Sequence, residues 1–142
     1  MLKKTVLLFF ICCISYVLNA QSGYWEGYLT QDGKSHKFEM YLKKGEKGKL
    51  MGSSSIIINE VIYGLDFSGK MHLDRSVSLW DTTLDKRNLP EEVEDFLRHY
   101  QLIYRRSIEG DSLKGYWQEA DRHPQYFYKK GKVELKRKEP KA

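Results

Sequence analysis

The sequence predicts an all-β domain: a closed antiparallel up-and-down barrel of about eight strands with one short helix near residues 89–99. Three observations carry that expectation. The tripeptide Gly-Tyr-Trp occurs twice, at Gly23-Tyr24-Trp25 and Gly115-Tyr116-Trp117, and each copy sits in a stretch with strand-like alternation. Further alternating segments, divided by short turns rich in Gly and Asp, fill the chain between them. A tryptophan beside a glycine at both ends of the series suits a sheet that closes on itself, with the indoles filling the space glycine leaves open.

The first twenty residues read as a targeting segment. Lys3 and Lys4 precede an almost wholly apolar run from Val6 to Leu18, and Asn19-Ala20 ends in a small residue. The run has 13 residues, short of the roughly 18–20 that cross a bilayer, so no membrane span is expected. The Asn-Ala-Gln boundary resembles the leaders of secreted Bacteroidota proteins. Removing 20 residues from 142 leaves 122, enough for one domain, residues 21–142, ending in a short basic tail. Cys12 and Cys13 both lie in the leader, and neither follows the small residue that a lipidated cysteine needs. The remaining chain has no cysteine, so its core must carry stability without disulfides. Loss of Lys3 and Lys4 lowers the net charge from +5 to +3. Acids are interspersed among the bases except at 129–132 and 136–138, which describes a solvated surface and argues against nucleic-acid binding.

Trp25, Gly27 and Leu29 share one face of a first strand, and Tyr24, Glu26 and Tyr28 the other. Asp32-Gly33 is a hairpin signal because both residues tolerate positive φ. Phe38, Met40 and Leu42 alternate against charged neighbours in a second strand, and Gly45 and Gly48 mark its end. Lys49 to Ser55 and Ile56 to Tyr63 read as two short strands, with Gly52 at a bulge. Gly64 to Gly69 reads as a turn, and Met71 to Trp80 as the next strand. Asn88-Leu89-Pro90-Glu91 has the form of a capped helix start, followed by Val93, Phe96, Leu97 and Tyr100 at helical spacing. Gln101–Ile108, Ser112–Glu119 and Lys132–Arg137 complete the strands.

These residues resemble the calycins, the lipocalin, fatty-acid-binding and avidin-type barrels. Gly23-Tyr24-Trp25 is similar to their Gly-x-Trp signature in the first strand, and Arg137 to the basic residue that covers that tryptophan. The chain departs from lipocalins in having no Thr-Asp-Tyr motif and no cysteine pair. The resemblance implies structural roles for Trp25 and Arg137, and the repeated tripeptide implies one for Trp117.

Charges on apolar strand faces are the candidates for chemistry. Arg75 alternates with Met71, Leu73, Val77 and Leu79, Arg106 with Leu102, Tyr104 and Ile108, and Glu119 with Leu113 and Trp117. If those faces line the barrel, Arg75, Tyr104, Arg106 and Glu119 meet inside it. An internal ion pair would explain them structurally. The functional alternative is that the forked guanidiniums and Tyr104 hold an anionic head group. Tyr104-x-Arg106 is similar, in reversed order, to the interior Arg/Tyr pair of fatty-acid-binding proteins. The four histidines lie on separate elements with no zinc spacing, and neither a metal nor a cofactor is expected. No Gly-x-Ser-x-Gly elbow is present, and the acids 91–95 suit a helix N-terminus. The outward tyrosines Tyr24, Tyr28, Tyr41 and Tyr116 suit either simple strand formation or a contact patch.

The expected function is an extracytoplasmic (secreted or periplasmic) binding module for a small, largely apolar ligand, with an anionic group as an option. The alternative is a protein-binding accessory or inhibitor of the cell envelope that uses the tyrosine-bearing face. The third is a calycin-type isomerase or decarboxylase with Glu119 and Tyr104 as its acid–base pair. A binding module needs an open cavity, an accessory needs a filled barrel with exposed aromatics, and an enzyme needs a perturbed carboxylate in a cleft.

Overall fold

The computed structural model describes residues 22–87, 89–91, 96–120 and 129–138. They form eight strands: β1 (Gly23–Gln31), β2 (Lys34–Lys44), β3 (Lys49–Ile58), β4 (Val61–Met71), β5 (Ser76–Asp85), β6 (Arg98–Arg105), β7 (Ser112–Glu119) and β8 (Lys130–Lys138). Each pairs antiparallel with the next, and β8 pairs with β1 from Leu29↔Val133 to Tyr24↔Lys138, closing the barrel. The up-and-down order creates two unlike ends. The terminal end carries the start of β1, the end of β8 and the β2–β3, β4–β5 and β6–β7 connections. The loop end carries the other four connections.

The turns follow from residue chemistry. Asp32 and Gly33 take φ of 53° and 75° in the β1–β2 hairpin, as an Asp-Gly pair readily does. The β3–β4 reversal is made by Asn59 and Glu60, both at positive φ, and not by the segment 64–69. β4 runs straight through that segment. At Gly69 a Cβ would lie 1.9 Å from the Ser78 carbonyl oxygen, so this glycine marks a close approach of two strands and not a turn. The reversal between β4 and β5 instead falls at residues 72–75. There Arg75 takes φ 69°, and the Asp74 carboxylate accepts from both the amide and the hydroxyl of Ser76.

β3 is likewise one strand of ten residues, with Gly52 paired to Leu42 and Phe67 and no bulge. The bulge lies between β4 and β5, where the register shifts at Asp66/Phe67. The only helical element among the described residues is a 3-10 turn at Glu46–Gly48. Of the predicted helix, Asn88 and residues 92–95 lie outside the described residues, as do the leader and 121–128. Arg98 and His99, assigned to the end of that helix, begin β6. No described helix is long and apolar enough to cross a membrane.

Inward side chains of all eight strands meet at the centre. Trp25, Leu29, Phe38, Met40, Leu42, Leu50, Ile56, Leu65, Phe67, Val77, Leu79, Tyr100, Leu102, Tyr104, Leu113, Trp117, Val133 and Leu135 are each at most 4% exposed. Side chains buried to this degree pack on one another rather than around a void. Each full burial of such a side chain contributes about 1.5–3 kcal/mol. The barrel centre is therefore filled.

Candidate functional site

Polar and charged groups break the apolar interior at both ends, each beside one of the two Gly-Tyr-Trp tryptophans. At the terminal end, Trp25 meets the Tyr104 ring edge-on at 6.1 Å. The Tyr104 hydroxyl donates to Asp111 Oδ2 at 2.6 Å, and Arg137 Nη1 lies 3.7 Å from the same oxygen. Arg137, paired across the ladder with Trp25, also donates through Nη2 to the Ser22 carbonyl at 2.6 Å. Burial and the bond to Asp111 push the Tyr104 phenol up to about 12.

At the loop end the partner of the tryptophan is Arg98, which leads β6 and is only 4% exposed. Its guanidinium carbon lies 4.6 Å from the Trp117 ring centroid and 4.3 Å from that of Phe96. Arg98 Nη2 donates to Gln31 Oε1 at 2.5 Å. The Arg98 amide donates to Asp81 Oδ2 at 2.9 Å, and the Tyr100 hydroxyl to the same oxygen at 3.4 Å. Burial pushes the Asp81 carboxyl up to about 6, against the opposing pull of the Arg98 amide and charge. Burial also lowers the Arg98 pKa and raises that of Tyr100 well above its ordinary value. Two buried atoms, Arg98 Nε and Asp81 Oδ1, have no hydrogen-bond partner among the described residues. An unsatisfied buried polar atom is costly, so this cluster is the less settled of the two.

The four residues expected to meet inside the barrel are divided between its ends. Arg75 and Arg106 are exposed at the terminal end, in the β4–β5 and β6–β7 connections, because the strand faces they were placed on stop short of them. Tyr104 is buried at that end, and its amide donates to the Arg75 carbonyl at 3.0 Å. Glu119 is half-buried at the loop end, opposite Arg98 in the ladder, six residues or about 20 Å along β7 from Leu113, the ladder partner of Tyr104. The interior arginine and tyrosine two residues apart are Arg98 and Tyr100. Strand parity carries the signal for this pair: Arg98 continues the face of Tyr100 and Leu102, Asp81 that of Val77 and Leu79, and Gln31 that of Leu29. Assignment of 89–99 to a helix hides Arg98, and ending the fifth strand at Trp80 hides Asp81.

The outer wall carries aromatics in two separate places. Tyr24 and Tyr41 stand side by side on β1 and β2 with ring centroids 4.9 Å apart. Tyr28 lies further along β1, flanked by Lys37 and Glu134. On the other side of the barrel, Trp80 on β5 stacks on His99 of β6 at 4.3 Å and 8°. Tyr116 stands on β7 beside Gln101. No three His, Cys, Asp or Glu side chains among the described residues are arranged to hold a metal ion. No family model and no curated protein matches this chain.

Proposed function

We propose that this chain is an extracytoplasmic accessory protein, a calycin-like barrel that binds a protein partner through the outer wall of β1 to β3. The observation that carries the proposal is the distribution of large side chains: those facing in are packed on one another, while Tyr24, Tyr28, Tyr41 and Met51 are exposed on neighbouring strands. Tyrosines supply large, rigid, amphipathic contact area, and partner surfaces are enriched in them. Two ion pairs lie beside this patch, Lys37 with Glu39 and Lys138 with Glu26, as suits the polar rim of a contact. Site-specific photo-crosslinking in the producing cell tests the proposal, with the crosslinking residue placed at position 41 and, on the opposite wall, at position 78. A discrete adduct from position 41 alone, lost on Tyr24→Ala, is the expected result. The same adducts from both positions would discard the patch.

A small anionic ligand held at the loop end is the second function with an observation in its favour. Arg98 Nε is a buried donor that no group among the described residues uses, and a guanidinium paired with a phenol suits a carboxylate. Thermal-shift screening of fatty acids and related anions against wild type and Arg98→Leu tests it. Shifts confined to the wild type support it, and equal shifts exclude it.

A further inference from the structure

The outer wall holds a groove of about 400 Å³ at the loop end, across β6, β7, β8 and the end of β1. That size is within the roughly 300–1,000 Å³ of small-ligand sites. Its origin is local. The β1–β8 ladder runs only as far as Leu29↔Val133. Beyond that pair the Thr30 carbonyl accepts the Trp117 indole N–H at 2.8 Å, and the Lys132 amide donates to Thr30 Oγ1. Gly131 makes this possible, since a Cβ there would lie 1.9 Å from the Thr30 carbonyl oxygen and 2.5 Å from Trp117 Nε1. An indole thus replaces a rung of the sheet, and the surface dips above it.

Tyr116, 64% exposed, stands in this groove with Gln101, Gln118, Lys130 and Lys132 around it. We propose that the groove binds an acidic oligosaccharide, one carrying carboxylates or sulfates on its sugar rings. A flat aromatic face accepts the C–H side of a pyranose, and the primary amides of Gln101 and Gln118 offer both donors and acceptors to its hydroxyls. Among the described residues, two lysines and no carboxylate line the groove, which selects for a negative ligand. Among the described residues neither Lys130 nor Lys132 forms an ion pair, while the next pair along β7 and β8, Lys114 with Glu134 at 3.2 Å, neutralises itself. That neighbour also argues against a single-stranded nucleic acid, which needs a continuous basic track and further open rings. Here the neighbouring Lys114 is neutralised by Glu134, and His99 already covers one face of Trp80. The site is separate from the Tyr24–Tyr41 patch, and neither requires the other.

Calorimetric titration of the protein with a galacturonate tetramer and a sulfated chondroitin oligomer tests the proposal. A neutral cello-oligomer and an oligothymidylate of equal charge are the controls. At least one acidic sugar is expected to bind, with affinity weakened about tenfold or more by Tyr116→Ala and by Lys132→Gln, the loss of one good contact. Tyr41→Ala should leave it unchanged. Both substituted side chains are exposed, and circular dichroism verifies the fold. The proposal is overturned if neither acidic sugar binds, if oligothymidylate or the neutral oligomer binds as tightly, or if both groove variants retain wild-type affinity.

Discussion

The two ends of the barrel are built from the same four kinds of side chain and behave differently. Each sets a tryptophan beside an arginine, a tyrosine and an aspartate: Trp25, Arg137, Tyr104 and Asp111 at the terminal end, and Trp117, Arg98, Tyr100 and Asp81 at the loop end. The terminal set reaches water, with the Arg137 and Asp111 side chains 28% and 16% exposed, and its oxygens and nitrogens are matched at short distances. The loop-end set is sealed and leaves two atoms without partners among the described residues. Access to solvent, not composition, makes one set a clasp and the other a reservoir of unfavourable energy.

Truncating the tryptophans gives the largest effect and tests the contrast first. Trp25→Ala and Trp117→Ala should each cost about 3–5 kcal/mol in urea unfolding by leaving a cavity. Trp117→Ala also removes the indole bond to Thr30 and strips the ring from beneath the Arg98 guanidinium. A loss below about 1 kcal/mol at either position would show that its indole is not part of the packed core.

The pH dependence of stability sharpens the comparison. Asp81 has a folded pKa of about 6 against an ordinary 3.8, so between those values the folded chain holds a proton that the unfolded chain has released. Its contribution therefore favours folding less as pH rises through that window, and above it the full penalty applies, roughly 3 kcal/mol. Asp81→Asn keeps an oxygen for the Arg98 amide and removes the charge. The variant should gain on wild type as pH rises from about 4 to 7. A constant difference in urea midpoint across that range would mean the carboxylate is better solvated than its surroundings indicate.

The smallest effect belongs to the terminal end. Tyr104→Phe removes the 2.6 Å bond to Asp111, but Asp111 keeps Arg137 and some water, so the cost should be about 1 kcal/mol. A loss comparable to that at Trp25 would show this end to be as tightly coupled as the other.

Much of the architecture was legible because period-two alternation survives wherever a strand has one buried face. β1, β2 and β7 were placed that way, and Asp32-Gly33 fixed the first hairpin. The middle was misread where glycine serves close strand approach, as at Gly69, and where Asn59-Glu60 turns the chain with a residue that carries no turn signal. That misplacement moved Arg75 from a turn to a strand face. Arg98 was hidden for another reason: the spacing of Val93, Phe96 and Leu97 suits a helix, whereas Phe96 and Leu97 pack on the core as non-helical chain, and spacing alone does not separate the two over so few residues. Once the strand boundaries are known, parity alone gives the inward positions of Arg98, Asp81 and Gln31.

The β1–β8 seam has a consequence for the order of assembly. Seven of the eight strand pairings join neighbours in sequence, but this one brings together residues about a hundred positions apart, as in the Arg137–Ser22 and Lys132–Thr30 bonds. Closing so long a loop delays the contact, so a curled sheet of seven paired hairpins forms before it. Until then β1 and β8 are bare edges, and the alternating β1 segment is a template for a second chain. Amides at the seam should gain protection from exchange last during refolding, and aggregation should be greatest in that interval.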